Sequence, residues 1–261
     1  HALGLTHPGA YNFGADVDGD GLPDDITYEN FAEYFQDSNQ YTIMSYFNGN
    51  QTGNYVVNWE NGVLFSNPQA PKLHDIYVMQ QVYGADPTTR ATDTVYGFNS
   101  NAGNILYDFN ENPYPYLAIY HAGGNDTIDL SGFNISQYIN LQAGEFSWIG
   151  GGAPADMTEV SANIVKIYDY YFNTDLGDNF ALNPAVYNSW MTEARIGNAA
   201  AIGADTGVAN IFASNYENFA IAYGTVIENA TGGSARELIR GNEVDNILKG
   251  LGGEAVRQGY K

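Results

Sequence analysis

Four glycines, Gly232, Gly241, Gly250 and Gly259, recur every nine residues near the C-terminal end of this chain. They head the units GGSARELIR, GNEVDNILK, GLGGEAVRQ and GYK. A nine-residue period with a leading glycine provides one tight corner and one short strand per unit, the pattern of a parallel β-roll. In the intact form, G-G-x-G-x-D-x-apolar-x, the glycines expose carbonyls and the Asp reaches a calcium ion held between turns. Here Ala235 stands for the second-half glycine, Glu237 for the Asp of the first unit and Ala255 for that of the third. The period is intact while the ligand pattern is eroded, and the closing GEAVRQGYK departs from it.

The same texture of short β-prone runs broken by Gly, Asn and Asp begins near Asp86. It includes TVYGF at 94–98, DTIDLSGF at 126–133 and YINLQ at 138–142. Between about 150 and 222 the pattern lapses, and that stretch is expected to be an insertion on the β scaffold. It holds a helix around 158–172 and NPAVYNSWMTEARIG, which fits either helix or loop. Upstream, Leu73, Ile76, Tyr77, Gln80 and Tyr83 fall at helical spacing, with Gly84 as a stop and Pro87 beyond. This helix is expected to pack its apolar stripe under the preceding zone.

Charge narrows the partners. The 261 residues carry 9 Lys+Arg against 30 Asp+Glu, a net charge of −21. Such an anion repels nucleic acid phosphates and acidic lipid, and it favours metal cations, calcium first because carboxylate oxygen is its preferred ligand. At 44% hydrophobic and 14% aromatic, the chain has ample material for a core. Cys is absent, which excludes disulfides and thiolate chemistry, and no apolar run is long enough for a membrane span.

The residues with metal chemistry lie at the start. His1-Ala-Leu-Gly-Leu-Thr-His7 matches the second half of H-E-x-x-H-x-x-G-x-x-H. In that motif two His one helical turn apart face the metal, and a glycine, Gly4 here, ends the helix so that a third His can return. Thr42-Ile43-Met44-Ser45-Tyr46 has the form of a Met-turn. Together with GNYVVN at 53–58, APKLHDIYVMQQVYGADPTTRATDTVYGFNSN at 70–101, HAGGNDTIDLSGF and GTVIENATGG, these segments resemble the serralysin family of metzincins.

That resemblance implies an α+β fold in two parts. Residues 1–87 would be the C-terminal, lower part of a zinc metalloprotease domain. Residues 88–261 would be a calcium-binding, RTX-type parallel β-roll domain with an insertion at about 150–222, truncated at the C-terminus. It further implies a bacterial, secreted endopeptidase that cleaves protein or peptide substrates with zinc-activated water. His1, His7 and Tyr46 would be zinc ligands, Tyr46 also stabilising the oxyanion, and Met44 would support the site by packing. The first zinc His and the general-base Glu would lie before residue 1, so the chain alone is expected to be inactive, or active only when paired with its N-terminal half. The family's C-terminal export signal is likewise expected to be absent.

Calcium ligands implied by the resemblance are Arg90, Thr92 and Thr94 from TTRATDT, Gly123, Gly124 and Asp126 from AGGND, and Val226 and Glu228. His121 replaces the usual leading Asp of the AGGND segment and removes one anionic ligand. A separate acidic loop, Asp16, Asp18, Asp20 and Asp24 with Gly21, follows EF-hand spacing, although Thr27 stands at position 12 and Glu29 two residues later. It suits calcium, or a solvated acidic loop. His74 is expected to be exposed or capping rather than a ligand. The rival reading from another class is a non-enzymatic calcium-binding β-roll module of an extracellular protein.

Overall fold

The computed structural model describes residues 1–11, 14–56, 58, 67–152, 156–172, 180–189, 215–252 and 255–259. Residues 1–56 consist mostly of turns around one short helix, α1 (Tyr28–Phe31), and a two-residue strand, β1 (Tyr55–Val56). Helix α2 follows at Leu73–Tyr83, with the bounds that spacing and Gly84 indicate.

Beyond α2 the chain winds as a coil. Strands β2 (Val95–Gly97), β3 (Leu117–Ile119), β4 (Thr127–Asp129) and β5 (Gln137–Asn140) precede β6 (Phe146–Ser147). After helix α3 (Met157–Phe172) come β7 (Asn215–Tyr216), β8 (Phe219–Ile221), β9 (Asn229–Thr231), β10 (Glu237–Arg240), β11 (Ile247–Lys249) and β12 (Ala255–Gln258). Successive strands alternate between sheets. One sheet runs β11-β9-β4-β2 and another β12-β10-β5, and every pairing in both is parallel. A third, β3-β8-β6, pairs β3 with β8 in parallel and β6 with β8 antiparallel.

The nine-residue period thus has a structural counterpart: GGSARELIR ends in β10, GNEVDNILK in β11 and GLGGEAVRQ in β12. Ile247 lies beside Asn229, and Ala255 beside Glu237, so two repeats advance the chain by one full turn of the coil. This corrects the expectation for the tail, where the AVRQ of GEAVRQGYK forms β12 in register with β10. Its side chains alternate, which is all the pairing requires, and the missing Asp leaves the strand itself unaffected.

Within the expected insertion, α3 lies where helical periodicity places it, and residues 184–189 are helical. Trp190 and all of MTEARIG after it fall outside the described residues. β7 and β8 rejoin the scaffold inside the 150–222 stretch: β8 inserts between β3 and β6, and β7 pairs with β1.

The core fills the coil. Leu117, Ile119, Ile128, Leu130, Ile139, Leu141, Phe219, Ile221 and Ile239 form one cluster, closed at one side by Tyr96, Phe109 and Phe133. Each such side chain contributes roughly 1.5–3 kcal/mol by burial. Helix α2 does not follow expectation. Leu73 and Ile76 pack on Ala118 and Ala220 of the β3-β8 layer, while Tyr77 and Tyr83 of the predicted stripe face outward, as does Val82. The helix therefore binds the coil to the N-terminal turns rather than burying a stripe beneath those turns. Asn218 strengthens this junction by donating to the Pro115 and Ile149 carbonyls and accepting from the Ile149 N–H at 3.0 Å.

Candidate metal centre

The residues around His7 are held from three sides. Gly4 adopts φ +91°, a conformation a β-carbon disfavours, and its N–H closes a turn on the His1 carbonyl at 2.9 Å. That turn brings His1 Nε2 to 3.2 Å from His7 Nε2, with the rings edge-on at 4.7 Å. His7 Nδ1 lies 2.6 Å from the Met44 carbonyl. Since a carbonyl only accepts, Nδ1 carries the proton and Nε2 presents its lone pair toward His1.

The Met-turn is fixed by polar contacts. Asp75, at the third position of α2, accepts from Thr42 Oγ1 at 2.6 Å and from the N–H of Ile43 at 2.9 Å. Its second oxygen also accepts from the Lys72 N–H, so one buried carboxylate ties the helix start to the turn. Asn39 donates to the Thr42 and Ser45 carbonyls, and Ser45 Oγ donates to Asp37 at 2.7 Å. Met44 is buried. Tyr46 is 54% exposed, its ring edge-on to His7 at 4.8 Å and stacked on Tyr11 at 4.6 Å.

A cavity of about 310 Å³ opens beside His7, lined by Gly4, Thr6, Tyr34, Thr42 and His74 among others. His74 is half-buried against Tyr41, and its backbone N–H donates to the Tyr41 carbonyl at 2.9 Å. Burial pushes its imidazole below the ordinary range. Sequence reading missed Asp37, Asn39, Tyr11 and Asp75. Only Asp75 carried a local signal, an acid at the third helical position.

In the acidic loop, Asp16, Asp18 and Asp24 bring carboxylate oxygens within 4.8 Å of one another. Asp16 accepts from the N–H groups of Gly19, Asp20 and Gly21, and Asp24 from those of Val17 and Asp18. Asp20 stands apart from this group, accepting from the Leu22 N–H at 2.8 Å.

The β-domain ligand candidates converge as well. A β-carbon on Gly124 (φ +125°) would lie 2.6–2.8 Å from backbone atoms of Thr92 and Asp93, so only glycine lets the AGGND turn rest on the TTRATDT turn. Asp126 is fully buried; it accepts from the Thr94 N–H at 2.7 Å and lies 2.9 Å from His121 Nε2. Its own N–H donates to Glu228 at 2.7 Å. Burial first, then the crowding of Glu228 and Asp93, pushes the Asp126 carboxyl up to about 6. Arg90, at φ +44°, points its guanidinium away, to Tyr96 Oη and the Tyr120 carbonyl.

Residues 85–164 match the family model described as Peptidase M10 serralysin C terminal. Over 152 residues, 58% of this chain, the sequence is 45% identical to serralysin of Proteus mirabilis and to that of Photorhabdus luminescens. The chain belongs to the serralysin family. Over 250 residues, 95% of its length, this serralysin-family chain is 33% identical to metalloprotease AprA of Pseudomonas entomophila. It spans about a third of the length of the curated relatives it matches, 28% of the Proteus protein and 36% of AprA. Among the described residues, no helix is long and apolar enough to cross a membrane.

Proposed function

We propose that this chain carries part of the zinc centre and the calcium-stabilised parallel β-roll of a secreted metalloendopeptidase that hydrolyses peptide bonds in protein substrates. The observation that carries the reading is the pairing of His1 Nε2 and His7 Nε2 at 3.2 Å, with His7 Nδ1 bound to the Met44 carbonyl. At that distance one imidazole N–H can donate to the other's lone pair, and a metal ion would take the place of that shared proton, bound by both nitrogens. His1, His7 and Tyr46 would hold zinc, which when bound supplies Lewis acidity toward a peptide carbonyl and a water molecule.

The chain's own groups have separable tasks. Met44 fixes the His7 tautomer through its carbonyl and fills the floor through its side chain. Tyr46, half-exposed beside His7, donates a hydrogen bond to oxygen charge that develops on the substrate. The general base implied by the resemblance is not among these residues, so residues 1–261 alone bind metal without turning over peptide. Asp126, Glu228 and the carbonyls of the AGGND and TTRATDT turns would hold calcium. The acidic loop, through Asp16, Asp18 and Asp24, would hold another.

Metal analysis of the purified chain tests this reading. One zinc per chain, lost in His7→Ala and retained in His74→Ala, is the expected result. Zinc content unaffected by His7→Ala would overturn it and favour the non-enzymatic β-roll module.

A further inference from the structure

We infer that Tyr11 is a positioning residue for Tyr46, and that Asp37 is the anchor that makes it one; this rests on the zinc reading above. Tyr11 is 5% exposed and adopts φ +40°, a left-handed conformation that a bulky residue takes only when its surroundings impose it. Two features impose it here. Tyr11 Oη donates to Asp37 Oδ1, a fully buried carboxylate whose other oxygen has no hydrogen-bond partner among the described residues. Gly9 leaves the room, because a β-carbon there would meet Tyr11 Cε1 at 2.8 Å and the Phe31 carbonyl oxygen at 3.0 Å.

The ring held this way is the surface on which Tyr46 lies. The two rings stack at 4.6 Å with 23° between their planes, and Phe47 meets Tyr11 edge-on at 5.3 Å. Tyr46 is otherwise half-exposed, and a solvent-facing phenol samples several rotamers unless something flat holds one face. The same Asp37 oxygen also accepts from Ser45 Oγ at 2.7 Å. One carboxylate therefore fixes both the segment that follows His7 and the turn that carries Tyr46. The relative placement of His7 and Tyr46 depends on that single acceptor.

Copper(II) substituted for zinc in the full 261-residue chain tests the inference, because a phenolate bound to copper gives a charge-transfer absorption that imidazole ligands do not. Copper bound per chain is measured in parallel by mass spectrometry. The unsubstituted protein is expected to show the band, and Tyr46→Phe to abolish it. Tyr11→Leu, which removes the platform, is expected to lower the band about tenfold at unchanged copper content, in line with loss of an outer-shell partner. Tyr11→Phe keeps the ring but loses the bond to Asp37, and is expected to lower the band by less than Tyr11→Leu does, again at unchanged copper content. A wild-type band in copper-loaded Tyr11→Leu overturns the role of Tyr11 alone. If Tyr11→Leu fails to fold, Tyr11→Phe decides: a wild-type band at full copper content overturns the anchoring of Tyr11 by Asp37. Absence of any band that Tyr46→Phe removes in the unsubstituted protein overturns the zinc reading itself, and this inference with it.

Discussion

Glu237 turns its carboxylate back into the glycine corner of its own repeat, where one oxygen accepts from the Gly233 N–H and the other is buried without a partner among the described residues. Asn246 does the same one repeat later, accepting from the Asn242 N–H at 2.9 Å. The residue at the Asp position thus caps its own corner, and its side chain fills the space a β-carbon at Gly232 or Gly241 would enter.

Among the described residues Glu237 has no counter-charge, and burial pushes its carboxyl up to about 7 from 4.5. A raised acid favours the folded state while protonated. Its contribution is full below pH 4.5, fades as pH rises to about 7, and above that the buried charge is a penalty. Glu237→Gln is expected to raise stability by on the order of 2 kcal/mol at pH 8 and to leave it unchanged near pH 4. Urea denaturation at both pH values, with chelator present, checks this.

His121 occupies the place beside Asp126 where the family resemblance expects a carboxylate, and it offers no oxygen to calcium. His121→Asp is expected to tighten calcium binding by about tenfold while lowering the melting temperature in chelator, since two buried carboxylates then repel. Calorimetric titration with calcium and melting curves with and without it read both effects. Unchanged affinity would show that a carboxylate at position 121 does not reach the ion.

Lys72 is fully buried over the Tyr116 ring, 4.0 Å from its centroid, and its ammonium donates to the Asn218 carbonyl at 3.3 Å. Burial holds its ammonium well below the ordinary range. A lowered lysine stabilises the fold at pH above its unfolded value and loses that contribution as pH falls through the folded one. Lys72→Met keeps the volume and leaves the Asn218 carbonyl its bond from the Leu117 N–H. It is expected to stabilise the protein by about 1 kcal/mol at pH 7, a gain that grows on acidification.

Gly124→Ala places a methyl group against Thr92 and Asp93 backbone at a positive φ, with no flexible side chain to yield. The expected cost is about 3 kcal/mol, with calcium affinity lowered because the two turns separate. Ala at Gly103, also positive in φ but with open space around it, is the control expected to cost about 1 kcal/mol.

Period and spacing made the repeat strands and α2 legible, because both depend on residues within one turn of each other. The His1–His7 pairing was legible for the same reason. What was hidden runs between distant positions: Asp37 with Tyr11, Asp75 with Thr42, Lys72 with Asn218. A single buried polar residue leaves no periodic trace. The direction of α2 was misjudged because its apolar residues nearly encircle it, and the β3-β8 layer that selects Leu73 and Ile76 is formed partly by residues far along the chain.

The staple at Asn218 has a wider consequence. It and Asn215 hold the exit and the re-entry of the 150–222 excursion together through Ile149, at 2.7 Å for the Asn218 amide and 3.3 Å for that of Asn215. Between those points the coil continues as if nothing intervened, β8 on β3, β9 on β4 and β10 on β5. Because lengthening a loop whose ends are already pinned costs only a logarithmic entropy, this seam is a socket. Sequence grafted there can vary in length and purpose while the spiral beneath keeps its register.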